Sequence, residues 1–167
     1  YNIFHMSNGI IISFLLLFVF LVLGWLLSLL TSLIFSPSVH TPKSILLEIL
    51  KLMNLKENDN LYDLGSGDGR VLVAARKYLK IKGYGYDISP IMISLSKVAR
   101  FLNLGLNTDI LFEVDSIFDI KLNKATVIYV YQNPKILKLL DKKFKKELKD
   151  VSVFSYRYEI EGKKVSK

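Results

Sequence analysis

No cysteine occurs among the 167 residues, which excludes disulfides, thiolate nucleophiles and cysteine-ligated metal sites. Histidine is nearly as scarce: His5 and His40 are the only two, and both precede the part of the chain that carries chemistry. A zinc centre or a serine–histidine triad therefore has too few ligands or bases to form. Charge is missing as well, but only from one end. No Asp, Glu, Lys or Arg stands before Lys43, so the whole formal charge of +8 belongs to residues 43–167. The lysines there are scattered and no aromatic–basic recognition motif joins them, so nucleic acid is not the expected partner. The excess reads as a solvated basic surface, or as attraction to anionic lipid headgroups or an acidic partner.

The uncharged end is a single apolar run. Gly9 to Phe35 reads "GIIISFLLLFVFLVLGWLLSLLTSLIF", 27 residues without a charge, against the roughly 20 that cross a bilayer as a helix. Apolar residues occupy every face, so this is no amphipathic surface helix. A secretory signal has a shorter apolar core and a small-residue cleavage site. A buried core helix of this length would need an interior that the 125 residues from Lys43 onward cannot supply. The expected partner of residues 9–35 is the lipid bilayer. Lys43, Lys51 and Lys56 follow the run and no Lys or Arg precedes it, so the positive-inside tendency places the C-terminal domain in the cytoplasm or on the matrix side of an organelle. The expected organisation is an N-terminal tail at 1–8, a transmembrane helix at 9–35, a linker at 36–42 and a catalytic domain at 43–167.

Beyond the linker, strand and helix alternate. Thr41 and Pro42 read as a cap and first helical residue before the helix "KSILLEILKLMNL", followed by the strand "LYDLG". A glycine turn opens the helix "RVLVAARKYLK", and "GYGY" is a second strand. Ser89 and Pro90 repeat the cap signal before "IMISLSKVARFLN". The strands "ILFEV" and "ATVIYVY" follow, the latter apolar enough to be central. Asn133 and Pro134 start a helix with Ile136, Leu137, Leu140, Phe144 and Leu148 at helical spacing, and "VSVFSYRYEI" is a fifth strand. Such alternation implies a parallel sheet covered on both faces, with ligands beyond the carboxyl ends of its strands. Asp63 to Gly69, Asp87, Asp115 and Tyr131 to Pro134 all fall there.

The stretch "LYDLGSGDGR" decides which ligand. A dinucleotide fingerprint spaces its glycines G-x-G-x-x-G, whereas Gly65, Gly67 and Gly69 are spaced G-x-G-x-G with Asp63 two residues ahead. An acid at this turn repels the pyrophosphate of a dinucleotide and favours S-adenosylmethionine (SAM), whose ammonium and sulfonium are cationic. Asp68 acts in the same direction. Asp87 is placed to accept from ribose hydroxyls, Asp115 to accept from an adenine amino group with Ser116 beside it, and Leu64, Ile88 and Phe118 to wall the base. Leu64, Ser66 and Asp68 complete the expected cofactor set.

These motifs, "YDLGSGDGR", "GYGYDIS" and "FEVDSIFDI", resemble the class I SAM-dependent methyltransferases. Among these they are most similar to membrane-anchored mitochondrial protein lysine methyltransferases and their soluble archaeal relatives. The resemblance runs from about Thr41 to Glu159 and takes in "LDKKFKKELKD" and "YRY". It implies SAM contacts at Asp63, Gly65, Ser66, Gly67, Asp87 and Asp115, and a substrate channel near Thr41–Pro42 and Tyr131–Pro134. Two departures stand out. The family often has glutamate where Asp87 stands, and its domain continues into a closing pair of strands, whereas this chain stops after the fifth. Either the gene is truncated or the fold is minimal.

The resemblance and the apolar run together imply methylation of lysine side chains on a protein near the membrane, an integral-membrane partner included. A membrane-borne small molecule such as a lipid or quinone fits the anchor equally well, and a non-enzymatic SAM-binding module is the third reading. Methyl transfer is an in-line displacement in which positioning does much of the work, and the acceptor lysine must arrive neutral. Tyr131, Asn133 and Pro134 are the candidates for shaping the mouth. The competing roles are that Tyr131 only ends the strand and Asn133 only caps the helix. Arg70 and Arg157 are assigned structural roles, with Tyr156 and Tyr158 alternating along the last strand.

Overall fold

The computed structural model describes residues 2–35, 40–106 and 108–160. The chain divides into two compact units, Tyr1–Ser38 and Val39–Lys167. The first unit holds one helix, α1 (Asn2–Phe35), which begins seven residues before the apolar run. From Ile10 to Leu30 its large apolar side chains are exposed, apart from the half-buried Leu29, and the Ser13 hydroxyl donates back to the Gly9 carbonyl at 2.9 Å. Among the described residues, Gly9–Leu30 is long and apolar enough to cross a membrane. Most of the expected linker, residues 36–39, lies outside the described residues.

The second unit runs through a 3-10 turn (Lys43–Ile45), α2 (Leu46–Met53), β1 (Asn60–Leu64), α3 (Arg70–Tyr78), β2 (Lys82–Asp87), α4 (Pro90–Leu104), β3 (Ile110–Val114), β4 (Val127–Val130), α5 (Pro134–Glu147) and β5 (Ser152–Ser155). The five strands form one sheet in the order β3-β2-β1-β4-β5, and every pairing is parallel. The chain steps outward from β1 to β3, then returns to place β4 on the other side of β1. The crevice of this reversal lies between β1 and β4, where open α/β sheets bind ligands.

Strand alternation sorts the side chains into two cores. Leu61, Val127 and Tyr129 face one side with α2, α3 and Ile93 of α4. Tyr62, Leu64, Ile128 and Val130 face the other with Leu137, Leu140 and Phe144 of α5. All four residues of β4 are buried, as their unbroken apolarity predicts, although β1 is the middle strand.

Two expected elements differ in the structure. Thr41 does not cap a helix: the chain passes through the 3-10 turn first and α2 proper starts at Leu46. The buried Thr41 hydroxyl instead lies 2.7 Å from the Tyr129 hydroxyl. The fifth strand is four residues rather than ten. Among the described residues it pairs only with β4, and its last partner is Val130, paired with Ser155. Beyond that register the chain bends, and Arg157 takes a left-handed φ of 70°, so Tyr156, Arg157 and Tyr158 lie past the strand.

The turn after β1 requires glycine for two separate reasons. Gly67 (φ 53°) and Gly69 (φ 76°) are both left-handed, which costs an L side chain roughly 1–2 kcal/mol. At Gly69 a Cβ would also lie 2.5 Å from Phe112 Cζ and 2.7 Å from Ser96 Cβ, whereas at Gly67 the nearest atom is His40 Cδ2 at 3.7 Å. Gly69→Ala is therefore expected to destabilise the domain by about 2–4 kcal/mol and Gly67→Ala by only about 1–2 kcal/mol. Urea unfolding of the two variants in the same detergent checks the order; equal losses would mean that Phe112 and Ser96 give way freely.

Candidate cofactor and methyl-transfer site

The carboxyl ends of β1, β2 and β3 are tied together by backbone. Gly65 and Ser66 N–H both donate to the Tyr86 carbonyl, at 2.8 and 2.9 Å, and Asp115 N–H donates to the Asp87 carbonyl at 3.2 Å. These bonds bring Asp63, the glycine turn, Asp87 and Asp115 to one edge, as their positions in sequence predict.

Asp63 occupies the next-to-last position of β1, in register with Tyr129 on β4 and Gly85 on β2. It is buried, and among the described residues its Oδ2 finds no hydrogen-bond partner. Burial, then the charges of Asp87 and Asp68, push its carboxyl up to about 8. A buried acid with an unmet oxygen is a place prepared for a cation or a strong donor. Ser66, one residue past Gly65, supplies a second buried oxygen without a partner among the described residues.

Asp87 is half-buried and already organises the turn. Its Oδ2 accepts from Gly67 N–H at 3.0 Å and its Oδ1 from Ser89 N–H at 2.8 Å. A carboxylate offers about four lone-pair sites, so capacity remains for the vicinal hydroxyls of a ribose. Asp115 is exposed, with Oδ1 taking the N–H of Ser116 at 2.7 Å. The Ser116 hydroxyl accepts from Phe118 N–H at 3.2 Å, which orders the loop after β3. Ile88 and Phe118 are open apolar surface. Leu64 is not: its side chain is wholly buried in the α5 core, because strand alternation points it away from its neighbour Asp63. It cannot wall a base, and only its backbone remains near the turn.

Asp68 also differs from expectation. Arg70 grips it with a fork, Nε to Oδ1 at 2.8 Å and Nη2 to Oδ2 at 2.6 Å. Burial raises its carboxyl, but the hydrogen bonds and charge of Arg70 outweigh this and hold it below the usual carboxylate range. Its charge is therefore largely matched within the turn, and Asp63 is the acid left to meet a ligand.

At the candidate mouth, the bland roles are the ones the geometry displays. Tyr131 is buried and meets the Tyr156 ring edge-on at 4.9 Å. Asn133 caps α5, its Oδ1 accepting from Ile136 N–H at 3.0 Å, and Pro134 is the exposed first residue of that helix. The residue that reaches the crevice is their neighbour Gln132. Its Nε2 donates to the Leu64 carbonyl at 3.4 Å, and its amide fills the space where a Cβ of Gly65 would stand. The signal was available in sequence: Gln132 is the first side-chain amide beyond β4, at the strand that reverses the sheet order.

A parallel sheet in this order, with a glycine turn, a buried acid and two further acids at successive strand ends, defines a class I methyltransferase fold. Residues 63–167 match the ANTKMT methyltransferase domain, and the chain belongs to that family. A protein-lysine N-methyltransferase of Saccharolobus islandicus (strain REY15A) is 29% identical over 128 residues, covering 75% of this chain and 79% of that protein. The adenine nucleotide translocase lysine N-methyltransferase of Mus musculus is 27% identical over 88 residues, covering 53% of this chain and 38% of its own length. The chain thus spans less than half the length of that mouse relative. Among solved structures, an RNA methyltransferase from Salinibacter ruber in complex with S-adenosyl-L-homocysteine superposes with a TM-score of 0.64 at 28% identity, over 70% of this chain and 76% of that one.

The raised Asp63 carboxyl has a consequence for stability. In the unfolded chain the group loses its proton near the ordinary 3.8, whereas in the fold it keeps the proton up to about 8. Between those values the folded state binds more protons, so stability falls as pH rises through this window. Asp63→Asn, which cannot ionise, is expected to be more stable than the parent at pH 8, by on the order of a few kcal/mol. The advantage should shrink towards pH 4. Urea midpoints across this range measure it; a constant difference would show that Asp63 titrates normally.

Proposed function

We propose that the chain is a SAM-dependent protein-lysine methyltransferase, held at a membrane by its apolar N-terminal helix and acting on a protein there. The observation that carries the cofactor reading is the buried, unmatched carboxyl of Asp63 at the β1–β4 crevice of a chain in this family. A methionyl ammonium would convert that liability into an ion pair. Asp87 would hold the ribose, and Asp115, Ile88 and Phe118 would bracket the adenine. Ser66 offers its buried hydroxyl beside Asp63.

SAM supplies an electrophilic methyl group when bound. The protein's part is to bind, orient and exclude water. Asp63 fixes one end of the pocket by charge, and the Gly67–Asp87 bond fixes the turn around which the pocket is built. Gln132 spans the crevice from the β4 side, where an acceptor must approach. An incoming lysine has to shed its proton and its water shell before attack, and a mouth flanked by buried Tyr131 and Tyr129 favours the neutral amine by desolvation.

The lysine acceptor rests on kinship: the archaeal and mouse relatives are both named as lysine methyltransferases, and the mouse one is named for adenine nucleotide translocase. The apolar Gly9–Leu30 stretch favours a substrate at the bilayer. The expected orientation keeps the catalytic domain on the cytoplasmic or matrix side.

Incubation of the full chain with host membranes and methyl-labelled SAM tests this. Label is expected in protein, on lysine by mass spectrometry; label confined to lipid or to RNA would replace the substrate assignment. The cofactor has its own test. Because the free enzyme holds a proton on Asp63 up to about pH 8, an ammonium that pairs with it should expel that proton. Calorimetry with SAM at pH 7 in phosphate and in Tris should therefore give different heats, corresponding to release of up to about one proton. Equal heats would show that binding expels no proton from Asp63, and loss of SAM binding in Asp63→Asn then decides whether its charge holds the cofactor.

A further inference from the structure

The cofactor turn is joined to a distant part of the chain by one guanidinium. While Nε and Nη2 of Arg70 hold Asp68, its Nη1 donates to the backbone carbonyl of Thr41 at 3.0 Å, 29 residues earlier. Thr41 is buried, and its hydroxyl meets the Tyr129 hydroxyl at 2.7 Å, beside Asp63 in the sheet register. The preceding residue lies over the same turn, since a Cβ at Gly67 would stand 3.7 Å from His40 Cδ2 and 3.8 Å from its Nε2. Two hydrogen bonds thus hold Thr41, one to the turn that surrounds the cofactor site and one to β4, and His40 lies close over Gly67. The sheet does not need them, because its strands are joined by their own ladders.

We propose that Arg70 is a positioning residue whose planar fork seats His40–Thr41 as a wall of the SAM pocket, and that cofactor affinity depends on this seating. The inference rests on the cofactor reading above and adds a residue to it. Its chemistry is specific to arginine. A guanidinium holds a carboxylate with two parallel N–H donors of a rigid plane while a third nitrogen of the same plane reaches a carbonyl, whereas an ammonium directs all its donors from one nitrogen. A lysine at this position would keep a positive charge near Asp68 but could not hold both partners in the same geometry.

That difference supplies the test. Arg70→Lys and Arg70→Met are compared with the parent as full chains in detergent, by hydrogen–deuterium exchange without ligand and by calorimetry with S-adenosyl-L-homocysteine. Both variants are expected to take up deuterium faster in peptides covering residues 40–46, and to bind the ligand about tenfold more weakly, as loss of a charge-assisted hydrogen bond implies. Thr41→Val, which removes the bond to Tyr129 and leaves Arg70 intact, should speed exchange in the same peptides. Retention of parental exchange and affinity by Arg70→Lys would overturn the proposal, because charge alone would then suffice. Faster exchange with unchanged affinity would overturn it too, since seating would not govern binding. Failure of the parent to bind the ligand would fell the cofactor reading, and the proposal with it, whereas the exchange comparison would still report whether Arg70 seats the segment.

Discussion

A buried carboxyl group with one oxygen left unmet among the described residues is the constraint around which this domain is arranged. Asp63 sits inside a parallel sheet, enclosed by its neighbouring strands, and its Oδ2 has no partner among the described residues. Placing an acid there is unfavourable in either protonation state. Its surroundings make sense as accommodation of a cation. The turn that follows is built from left-handed glycines, and Asp87 is engaged by backbone amides. The third acid, Asp68, is matched by Arg70. Asp87 and Asp68 are each held by donors of the turn, yet their charges still add to the burial that raises Asp63, which leaves one strong electrostatic demand at the crevice.

The division of labour among the acids follows from where each strand ends. Asp63 lies one residue inside β1 and is therefore enclosed, whereas Asp87 closes β2 and can still reach the amides of Gly67 and Ser89. Asp115 lies one residue past an edge strand and faces solvent. Similar side chains at successive strand ends thus differ in exposure and in chemistry. A buried group can carry binding energy, a half-buried one can order a turn, and an exposed one can recognise a base edge without great cost when empty.

Much of this was legible in the sequence, for identifiable physical reasons. The β1–turn–α3 unit is local: an apolar strand, glycines at left-handed positions and an amphipathic helix specify it within twenty residues. Ser89 and Asn133 cap α4 and α5 because an oxygen before a proline-led helix has few other uses. The failures lie where partners are remote. Thr41 looks like a cap, but its hydroxyl is taken by Tyr129, 88 residues later. Leu64 looks available to a ligand until the pleat turns it into the opposite core. The last strand looks ten residues long because its composition suits a sheet, yet it ends when its partner β4 leaves the sheet. Gln132 and Arg70 matter through contacts that no periodicity encodes.

Strand β2 contributes to the site through what it leaves out. A Cβ at Gly85 would stand 2.5 Å from Phe112 Cδ1 and 3.0 Å from Ser66 Cβ, so the ring of β3 lies directly on bare backbone, against the residue that begins the cofactor turn. The floor of the site is thus a mould whose shape is held by vacancy. Positions 85 and 112 form a paired gauge: growth at one must be met by shrinkage at the other, and drift in either is transmitted to Ser66. Variation in this corner of the domain is therefore confined to correlated steps, even though neither residue needs to touch a ligand.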